Sequence, residues 1–200
     1  MGGAFTFIGL ITFDHVKKYF LGVNGMTIQK VRDHVILCGW NNKAHFIVEN
    51  LLHENLDNRK QIVLLTEFGH EEGIAKYNLD PMYVYYVKVH GTNRNDLKRA
   101  NIAEASLVIA ISDYSDTDPD ARTILKILTA KKYCLELINC GVRVSDIFTV
   151  AELFNPQNIS IAEDAGADQI VSLSDMESKI FTQAVRNPGV AVFINEIMTY

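Results

Sequence analysis

Short apolar runs alternate along this chain with longer stretches in which apolar residues recur at helical spacing. The first run, residues 34–38, has no breaker and is mostly β-branched or apolar, which predicts a strand buried on both faces. Gly39 then turns the chain into a predicted helix over residues 44–54. Strict alternation of strands and helices predicts an α/β fold, a doubly wound domain with a parallel six-stranded sheet. The other predicted strands are residues 61–66, 83–89, 106–111, 146–151 and 169–172, and the other predicted helices are residues 71–79, 94–100, 120–133 and 156–165.

After the sixth predicted strand the pattern changes to a pair of apolar helices, residues 175–186 and 190–198. The segment Asn187-Pro-Gly189 separates them, because proline cannot continue the helical hydrogen bonds and glycine allows a left-handed turn. A sheet already covered on both faces cannot bury this much additional apolar surface. We therefore expect a symmetric homodimer through this helical hairpin. The candidate interface residues are Ile180, Phe181, Pro188, Gly189, Val190 and Phe193.

The first fourteen residues are apolar but shorter than the ~20 residues that cross a bilayer, and they carry no basic segment of a signal peptide. They are interpreted either as a segment that docks on the domain or a partner chain, or as the end of a membrane helix. The net charge of −5 and the lack of a Lys/Arg cluster argue against a nucleic-acid partner. Three cysteines without a C-x-x-C pair indicate reduced thiols in a cytosolic setting.

The turn after the first strand resembles a dinucleotide-binding loop in part. Gly39 and Ala44 supply two of the three small residues of that fingerprint, but Asn41 stands where the second glycine is expected. Two interpretations of this loop are open. Either it binds a nucleotide phosphate at Gly39, Asn41, Asn42 and Lys43, or it serves only the fold. Glu67 ends the second predicted strand, where a carboxylate binds ribose hydroxyls and selects against a 2′-phosphate. A solvated carboxylate at a strand end is the alternative.

The fourth predicted strand runs into an acidic loop that contains Asp113, Asp116, Asp118 and Asp120. Several carboxylates in a flexible loop suit Ca²⁺, although the EF-hand glycine and terminal glutamate are missing. Capping of the next helix is the favoured alternative, because Asp118 precedes Pro119. The six histidines are dispersed, and no hydrolase or P-loop motif occurs, so the sequence offers no catalytic residue and predicts a protein that is not an enzyme.

Several stretches together resemble the RCK (regulator of K⁺ conductance, or Trk-type N-terminal) domains of potassium channels. The similarity runs in order and with family spacing from about Val31 to the end of the chain. In addition to His34-Val-Ile-Leu-Cys-Gly-Trp40, it includes Lys88-Val-His-Gly-Thr92, Asp96-Leu-Lys-Arg-Ala-Asn-Ile102, Ala105-Ser-Leu-Val-Ile-Ala-Ile111, Val150-Ala-Glu152, Ala165-Gly-Ala-Asp-Gln-Ile-Val171 and Ala184-Val-Arg-Asn-Pro-Gly-Val190.

The resemblance implies a Rossmann-like cytosolic module that dimerises through the helical crossover and assembles into a ring under a tetrameric pore. Ligand binding in such a ring moves the domains and acts on the pore. The resemblance also places Glu152 at a position where some relatives bind Ca²⁺, but Phe154 stands where a second acidic residue is expected. The family often has Gly-Asp after the third strand, whereas this chain has Gly91-Thr92, which removes one expected adenosine contact.

These observations predict a ligand-sensing domain of a potassium channel or transporter at the cytosolic face of the cell membrane. Residues 1–32 would be the end of a pore-lining helix and a linker, residues 33–174 the Rossmann-like lobe, and residues 175–200 the dimerising hairpin. The expected effectors are an adenine nucleotide (NAD or ADP) and Ca²⁺. An NAD(P)-dependent oxidoreductase fragment and a ligand-free assembly module remain alternatives. The candidate ligand residues are Gly39, Asn41, Asn42, Lys43, Glu67 and Asp113 for the nucleotide, and Asp116, Asp118 and Glu152 for Ca²⁺.

Overall fold

The computed structural model describes residues 28, 30–53, 60–68, 72, 76–89, 92–112 and 117–198 of the 200-residue chain. The strands are β1 (Val35–Cys38), β2 (Ile62–Thr66), β3 (Val84–Lys88), β4 (Leu107–Ala110), β5 (Phe148–Leu153) and β6 (Gln169–Ser172). The helices are α1 (Ala44–His53), α2 (Arg94–Arg99), α3 (Pro119–Asn139), α4 (Ile159–Asp164), α5 (Leu173–Arg186) and α6 (Val190–Met198), with 3₁₀ turns at Ile102–Glu104 and Pro156–Asn158. Three predicted features lie wholly or partly outside the described residues: the acidic residues Asp113 and Asp116, the apolar N-terminal segment, and residues 71 and 73–75 of the predicted helix over 71–79.

All six strands are parallel and lie in the order β3-β2-β1-β4-β5-β6. The order reverses between β1 and β4, so the chain winds outward from the centre in two directions. This arrangement confirms the predicted doubly wound, Rossmann-like α/β fold. The central strands β1 and β2 are fully buried, as their uninterrupted apolar sequence indicates.

The side chains of β1 alternate between two cores because successive strand residues point to opposite faces. Ile36 and Cys38 pack on the face covered by α2 and α3, together with Leu97 and Ala130. The other β1 side chains pack with α1, whose buried residues are Ala44, Val48 and Leu52. The helices therefore cover both faces of the sheet and leave its carboxyl edge as the place where loops from several strands meet.

The fifth strand begins and ends two residues later than predicted. Asp146 lies before the strand, where its carboxylate accepts hydrogen bonds from the Ile147 amide (2.8 Å) and the Lys131 ammonium (2.9 Å). The strand continues through Leu153 because it pairs with β6 as far as Ser172. Residues 156–165, predicted as one helix, form a 3₁₀ turn followed by α4.

A half-buried lysine, Lys131, joins β5 and β6 at the amino edge of the sheet. The Lys131 ammonium donates to Asp146, to the Ile147 carbonyl (2.8 Å) and to Asp168 (2.8 Å), and Asp168 also accepts from the Thr149 amide (2.7 Å). Burial raises the pKa of Asp168, but the hydrogen bonds from Lys131 and Thr149 outweigh it, and the pKa is lowered overall. The Asp168 carboxylate therefore stabilises this corner of the fold in its charged form.

His34 is buried at the start of β1. Its Nε2 lies 2.8 Å from the Ala100 carbonyl, so this nitrogen carries the proton and donates it. Within the described part of the chain, Nδ1 has no hydrogen-bond partner. Burial lowers the pKa of His34, because the imidazolium form would be poorly solvated there.

The C-terminal helices α5 and α6 pack on each other, and α5 continues directly from β6. No residue of α5 is buried, and Phe181 is 74% exposed. The connecting turn is closed by the Asn187 amide on the Gln183 carbonyl (2.8 Å), and Gly189 adopts a φ of +99°. The predicted helix–turn–helix is confirmed, and its apolar side chains face solvent in the single chain. Among the described residues, none of the helices is both long and apolar enough to span a bilayer.

Candidate functional site

A cleft of about 210 Å³ opens at the carboxyl edge of the sheet, beside the reversal of strand order between β1 and β4. Loops from parallel strands leave a crevice at such a reversal, and doubly wound domains bind their ligands there. The lining residues come from the ends of β1, β2 and β3, from the segment between β2 and β3, and from the first turns of α3. They are Gly39, Trp40, Leu65, Thr66, Glu67, Phe68, Lys76, Tyr77, Val89, Thr92, Arg122 and Lys126.

Gly39 forms the floor of this cleft and allows two neighbouring segments to approach it closely. Its φ is +104°, and a Cβ at this position would lie 2.6 Å from the Ile111 carbonyl oxygen and 2.7 Å from the Lys126 ammonium. The same ammonium donates to the Ile111 carbonyl at 2.8 Å. The turn therefore requires glycine both for its backbone conformation and for the close packing of β4 and α3.

Asn41 caps helix α1 from inside the protein. Its buried side-chain oxygen accepts hydrogen bonds from the backbone amides of Lys43 (2.9 Å) and Ala44 (3.2 Å). Its amide nitrogen donates to the Ser112 carbonyl (2.8 Å) and to Glu152 (3.1 Å). Asn41 thus joins α1 to the ends of β4 and β5, and it is not among the residues that line the cleft. The sequence showed only that an asparagine replaces the second glycine of the fingerprint, and this linking role was not predicted.

The Glu152 carboxylate is buried and satisfied by protein donors. It pairs with the Lys43 ammonium, accepts from Asn41 and accepts from the Ser112 backbone amide at 3.1 Å. Lys43 and Glu152 therefore form an ion pair beside Asn41, and neither residue lines the cleft. Asn42, which stands between Asn41 and Lys43 in the sequence, is an exposed turn residue.

Glu67 is the predicted acidic residue that the fold brings together with Gly39. It is exposed, directly follows β2 and lines the cleft. The neighbouring Thr66 hydroxyl donates to the Phe68 carbonyl at 2.8 Å, which holds the end of the strand in place. A carboxylate in this position faces the space in which a ligand hydroxyl would lie.

An aromatic wall, defined here as Trp40, Phe68 and Tyr77, closes one side of the cleft. The Trp40 ring centroid lies 5.3 Å from that of Phe68 and 4.6 Å from that of Tyr77, at edge-to-face and tilted angles. The Lys76 ammonium lies 5.2 Å from the Tyr77 ring centroid. This wall was not predicted, although a tryptophan directly after the turn glycine was an available signal in the sequence.

Two cationic side chains of α3, Arg122 and Lys126, also line the cleft. They are four residues apart, so they lie on one face of the helix. These two residues were not predicted either. Their spacing just after the fourth strand would have indicated them, because a crossover helix starts at the carboxyl edge of the sheet and its first turns adjoin the cleft.

The two acidic residues described at the start of α3, Asp118 and Asp120, form hydrogen bonds that stabilise the fold. Asp118 is the N-cap of α3 and accepts from the Ala121 amide at 3.1 Å, with Pro119 in the first turn, which confirms the capping interpretation. Asp120 is buried and accepts from the Phe154 amide (2.8 Å), the Asn155 amide (2.9 Å) and the Asn158 side chain. No cluster of His, Cys, Asp or Glu within the described residues has the geometry to hold a metal ion.

The predicted interface residues share the exposed C-terminal hairpin. Phe181 and Phe193 are 74% and 61% exposed, whereas Ile180 and Val190 are half-buried. Pro188 and Gly189 form the exposed turn between α5 and α6.

The three cysteines are free thiols, as predicted. Cys38 and Cys134 are buried, and burial raises the pKa of Cys38 to about 12 and that of Cys134 to about 11. Buried neutral thiols of this kind are part of the core, and only Cys140 is exposed.

Comparison with solved structures supports the fold. The human SLO3 gating ring matches with a TM-score of 0.62 and 18% identity, over 87% of this chain and 35% of that one. GsuK bound to ADP matches with a TM-score of 0.53 and 18% identity, over 74% of this chain and 33% of that one.

Sequence comparison leads to the same group of proteins. The calcium-gated potassium channel TvoK of Thermoplasma volcanium is 29% identical over 175 residues, which cover 85% of this chain and 45% of TvoK. The chain spans about half the length of the curated relatives it matches. A family model, described as the calcium-activated potassium channel slowpoke-like RCK domain, matches residues 30–162, which is more than half of the chain. The chain therefore belongs to the slowpoke-like RCK domain family.

Proposed function

We propose that this chain is the ligand-sensing lobe of a potassium channel subunit and that an adenine nucleotide in the cleft biases the state of the pore. TvoK is named as a calcium-gated potassium channel, and GsuK has been solved with ADP and with NAD. These properties belong to those proteins. For this chain they indicate which ligands to test first.

The observation that carries the proposal is the composition of the cleft. One carboxylate, Glu67, stands at the end of β2, where it can accept hydrogen bonds from ribose hydroxyls. The aromatic wall offers an apolar surface for a purine, and cationic side chains line the same cleft. The volume of about 210 Å³ is below the roughly 300–1,000 Å³ of typical ligand pockets, so the described walls enclose a nucleotide only in part. Asp113 follows β4 in the sequence and remains a predicted contact outside the described residues.

The C-terminal hairpin supplies the route from the cleft to a partner subunit. Its apolar side chains have no cover in the single chain, and a second copy related by two-fold symmetry would bury them. Dimers of this kind would assemble into a ring at the cytosolic face of the membrane, under a pore formed by another part of the same polypeptide. A nucleotide that binds one arrangement of paired lobes more tightly than another shifts the population toward it.

The same proposal assigns residues 1–32 to a pore-to-lobe connection, residues 33–174 to the sensing lobe and residues 175–200 to the dimer contact. It assigns no catalytic residue, and hydride transfer with an added substrate would instead support the oxidoreductase alternative. Calcium is the second effector to test. Asp116 is the remaining predicted ligand whose surroundings are not described, since Asp118 caps a helix and Glu152 pairs with Lys43.

Isothermal titration calorimetry of the purified chain with ADP, NAD, NADP and CaCl₂ tests the proposal. We expect ADP and NAD to bind and NADP to bind more weakly, because a 2′-phosphate would face the Glu67 carboxylate. Glu67→Gln should weaken ADP binding by roughly 10- to 150-fold, since a hydrogen bond to a charged group contributes roughly 1.5–3 kcal/mol. Glu163→Gln is the matched control, because Glu163 is exposed at a different part of the molecule. If none of these four ligands binds, the sensor function is rejected and an assembly module remains.

A further inference from the structure

Half of one face of the sheet has less helical cover than the rest. Over β4, β5 and β6, the side chains that point toward α3 and α4 are buried or half-buried. The side chains between them point to the face that carries α1, because successive strand residues alternate. On that face α1 packs with side chains of β1, β2 and β3. Apolar surface that could receive a further helix is therefore present in the sheet itself.

The strand register shows which side chains share this area. Leu107 pairs with Phe148 and Ile109 pairs with Val150, so these four lie side by side across β4 and β5. Val171 of β6 is on the same face, because it lies two positions after the register partner of Val150. Phe148 is 48% exposed and Val171 is 39% exposed, and the other three are half-buried. We call these five residues the open sheet face.

The open sheet face has the dimensions of one short helix. Parallel sheets are normally covered on both faces, because their strands carry apolar side chains on both. Three strands that lie roughly 4.8 Å apart make an area about 10 Å wide, and strands of four to six residues are roughly 13–20 Å long. An α-helix with its side chains is about 10 Å in diameter. A single helix of two to three turns would therefore cover this face.

Helix α6 has a matching length and an unused apolar strip. Its nine residues are roughly 14 Å long. Val190 and Ile194 are half-buried, whereas Phe193 and Ile197, four residues apart on the helix, are 61% and 59% exposed. Among the described elements α6 packs mainly on α5. The strip with Phe193 and Ile197 therefore stays exposed in the single chain.

A second copy of the chain brings these two surfaces together. Helix α5 follows directly from β6, no residue of it is buried, and its fourteen residues carry α6 roughly 21 Å along the helix axis. In a two-fold dimer each hairpin can lie on the open sheet face of the other copy, and the two contacts are equivalent. This exchange buries both apolar surfaces, whereas contact between the hairpins alone would leave both sheet faces exposed.

We propose that α6 of each copy covers the open sheet face of the other copy in a symmetric dimer. The proposal rests on the dimer contact of the proposed function and identifies the surface that receives the hairpin. It also brings the partner's helix close to the residues that hold α1. Val171 pairs in register with Glu152, which holds Lys43 and Asn41. A change in the dimer contact would therefore act directly beside the start of α1.

Sedimentation velocity of the purified chain over a series of concentrations tests this contact. Val171→Lys places a charge on the open sheet face. Val144→Lys is the matched control, because Val144 is 99% exposed in the segment before β5. An unpaired charge should weaken each contact about tenfold, and since the contact occurs twice, the dimer dissociation constant should rise about a hundredfold. The control should keep the wild-type constant, and circular dichroism should show that both variants are folded.

Cross-linking locates the hairpin without relying on a loss of affinity. All chains carry Cys140→Ser, which removes the exposed native thiol. One chain carries Val171→Cys, and a second chain, made longer by an affinity tag, carries Phe193→Cys. After mixing, a short bismaleimide should give a product with the summed mass of the two chains. Val144→Cys in place of Val171→Cys should give no such product.

The outcomes separate this proposal from the dimer on which it rests. If Phe193→Lys dissociates the dimer but Val171→Lys does not, the hairpin dimer stands and the open sheet face is not part of it. Equal losses for Val171→Lys and Val144→Lys would also overturn the proposal, because the effect would then belong to charge in general. If one chain that carries both Val171→Cys and Phe193→Cys is cross-linked within itself, the hairpin folds onto its own sheet. A wild-type chain that stays monomeric at high concentration rejects the dimer and the proposal together, and a slowly reacting Val171→Cys thiol in that monomer would mean that the chain's own apolar N-terminal segment covers the face.

Discussion

Replacement of Gly39 by alanine places a methyl group where the structure has no room for one. The backbone there has a φ of +104°, which L-residues rarely adopt. The new Cβ would lie 2.6 Å from the Ile111 carbonyl oxygen and 2.7 Å from the Lys126 ammonium. The ammonium can move, but the carbonyl belongs to the chain directly after β4 and can move only with the strand.

The expected cost follows from these two effects. A non-glycine residue in a left-handed conformation costs about 1–2 kcal/mol. Displacement of the Lys126 ammonium from the Ile111 carbonyl removes a hydrogen bond from a charged donor, roughly 1.5–3 kcal/mol. Together they lower the free energy of unfolding by about 3–5 kcal/mol, a large part of the ~5–15 kcal/mol typical of a domain.

Urea denaturation followed by circular dichroism measures this loss, and Gly141→Ala is the matched control. Gly141 has a φ of +69°, and a Cβ there would meet no atom within 4 Å, so it reports the backbone cost alone. We expect this control to lose about 1–2 kcal/mol. If Gly39→Ala loses no more than Gly141→Ala, the turn relaxes freely, and the argument for close packing of β4 and α3 is wrong.

Three further measurements test other parts of the structure. Burial lowers the pKa of His34, so the unfolded chain takes up the proton first, and the free energy of unfolding should fall as the pH drops below about 6.5. Urea denaturation at about pH 7.5 and 5.5 measures this fall, and His34→Gln should make it smaller. If the variant shows the same fall as the wild type, His34 is not its cause. Asp168→Asn removes the carboxylate that holds Lys131 and should lower the free energy of unfolding by about 1–3 kcal/mol at neutral pH. Because the pKa of Asp168 is lowered in the folded protein, the unfolded chain takes up the proton first, and the difference should shrink as the pH falls below about 3.8; a difference that does not change with pH would exclude a charge effect. Phe181→Asp puts a charge on the 74% exposed apolar surface of α5 and should convert a dimer to a monomer in sedimentation velocity, and a monomeric wild type at high concentration would refute the dimer contact.

The hydrophobic pattern was sufficient to predict the fold. Uninterrupted apolar runs predicted strands buried on both faces, and all six predicted strands are present in one parallel sheet. The ends of the elements were harder to predict. The Asp146 carboxylate accepts two hydrogen bonds just before β5 begins. The bond from Lys131 comes from another helix, and the bond from the Ile147 amide makes the side chain a cap of the strand. Local propensity contains neither contact.

The site was predicted in part for a related reason. Gly39 and Glu67 follow strands, so their place at the carboxyl edge follows from topology alone. The partners of Asn41 come from β4 and β5, and this long-range geometry determines that Asn41 faces inward. Arg122 and Lys126 were missed because a helical pair of cations has the ordinary appearance of a solvated face.

The amide of Asn41 connects α1, the end of β4 and the end of β5 into one block. A block cross-linked in this way resists relative displacement of its parts. The hairpin is joined to the same block, since α5 follows directly from β6 and β6 pairs with β5. A shift of the block would therefore also reorient the hairpin and the apolar surface that it presents.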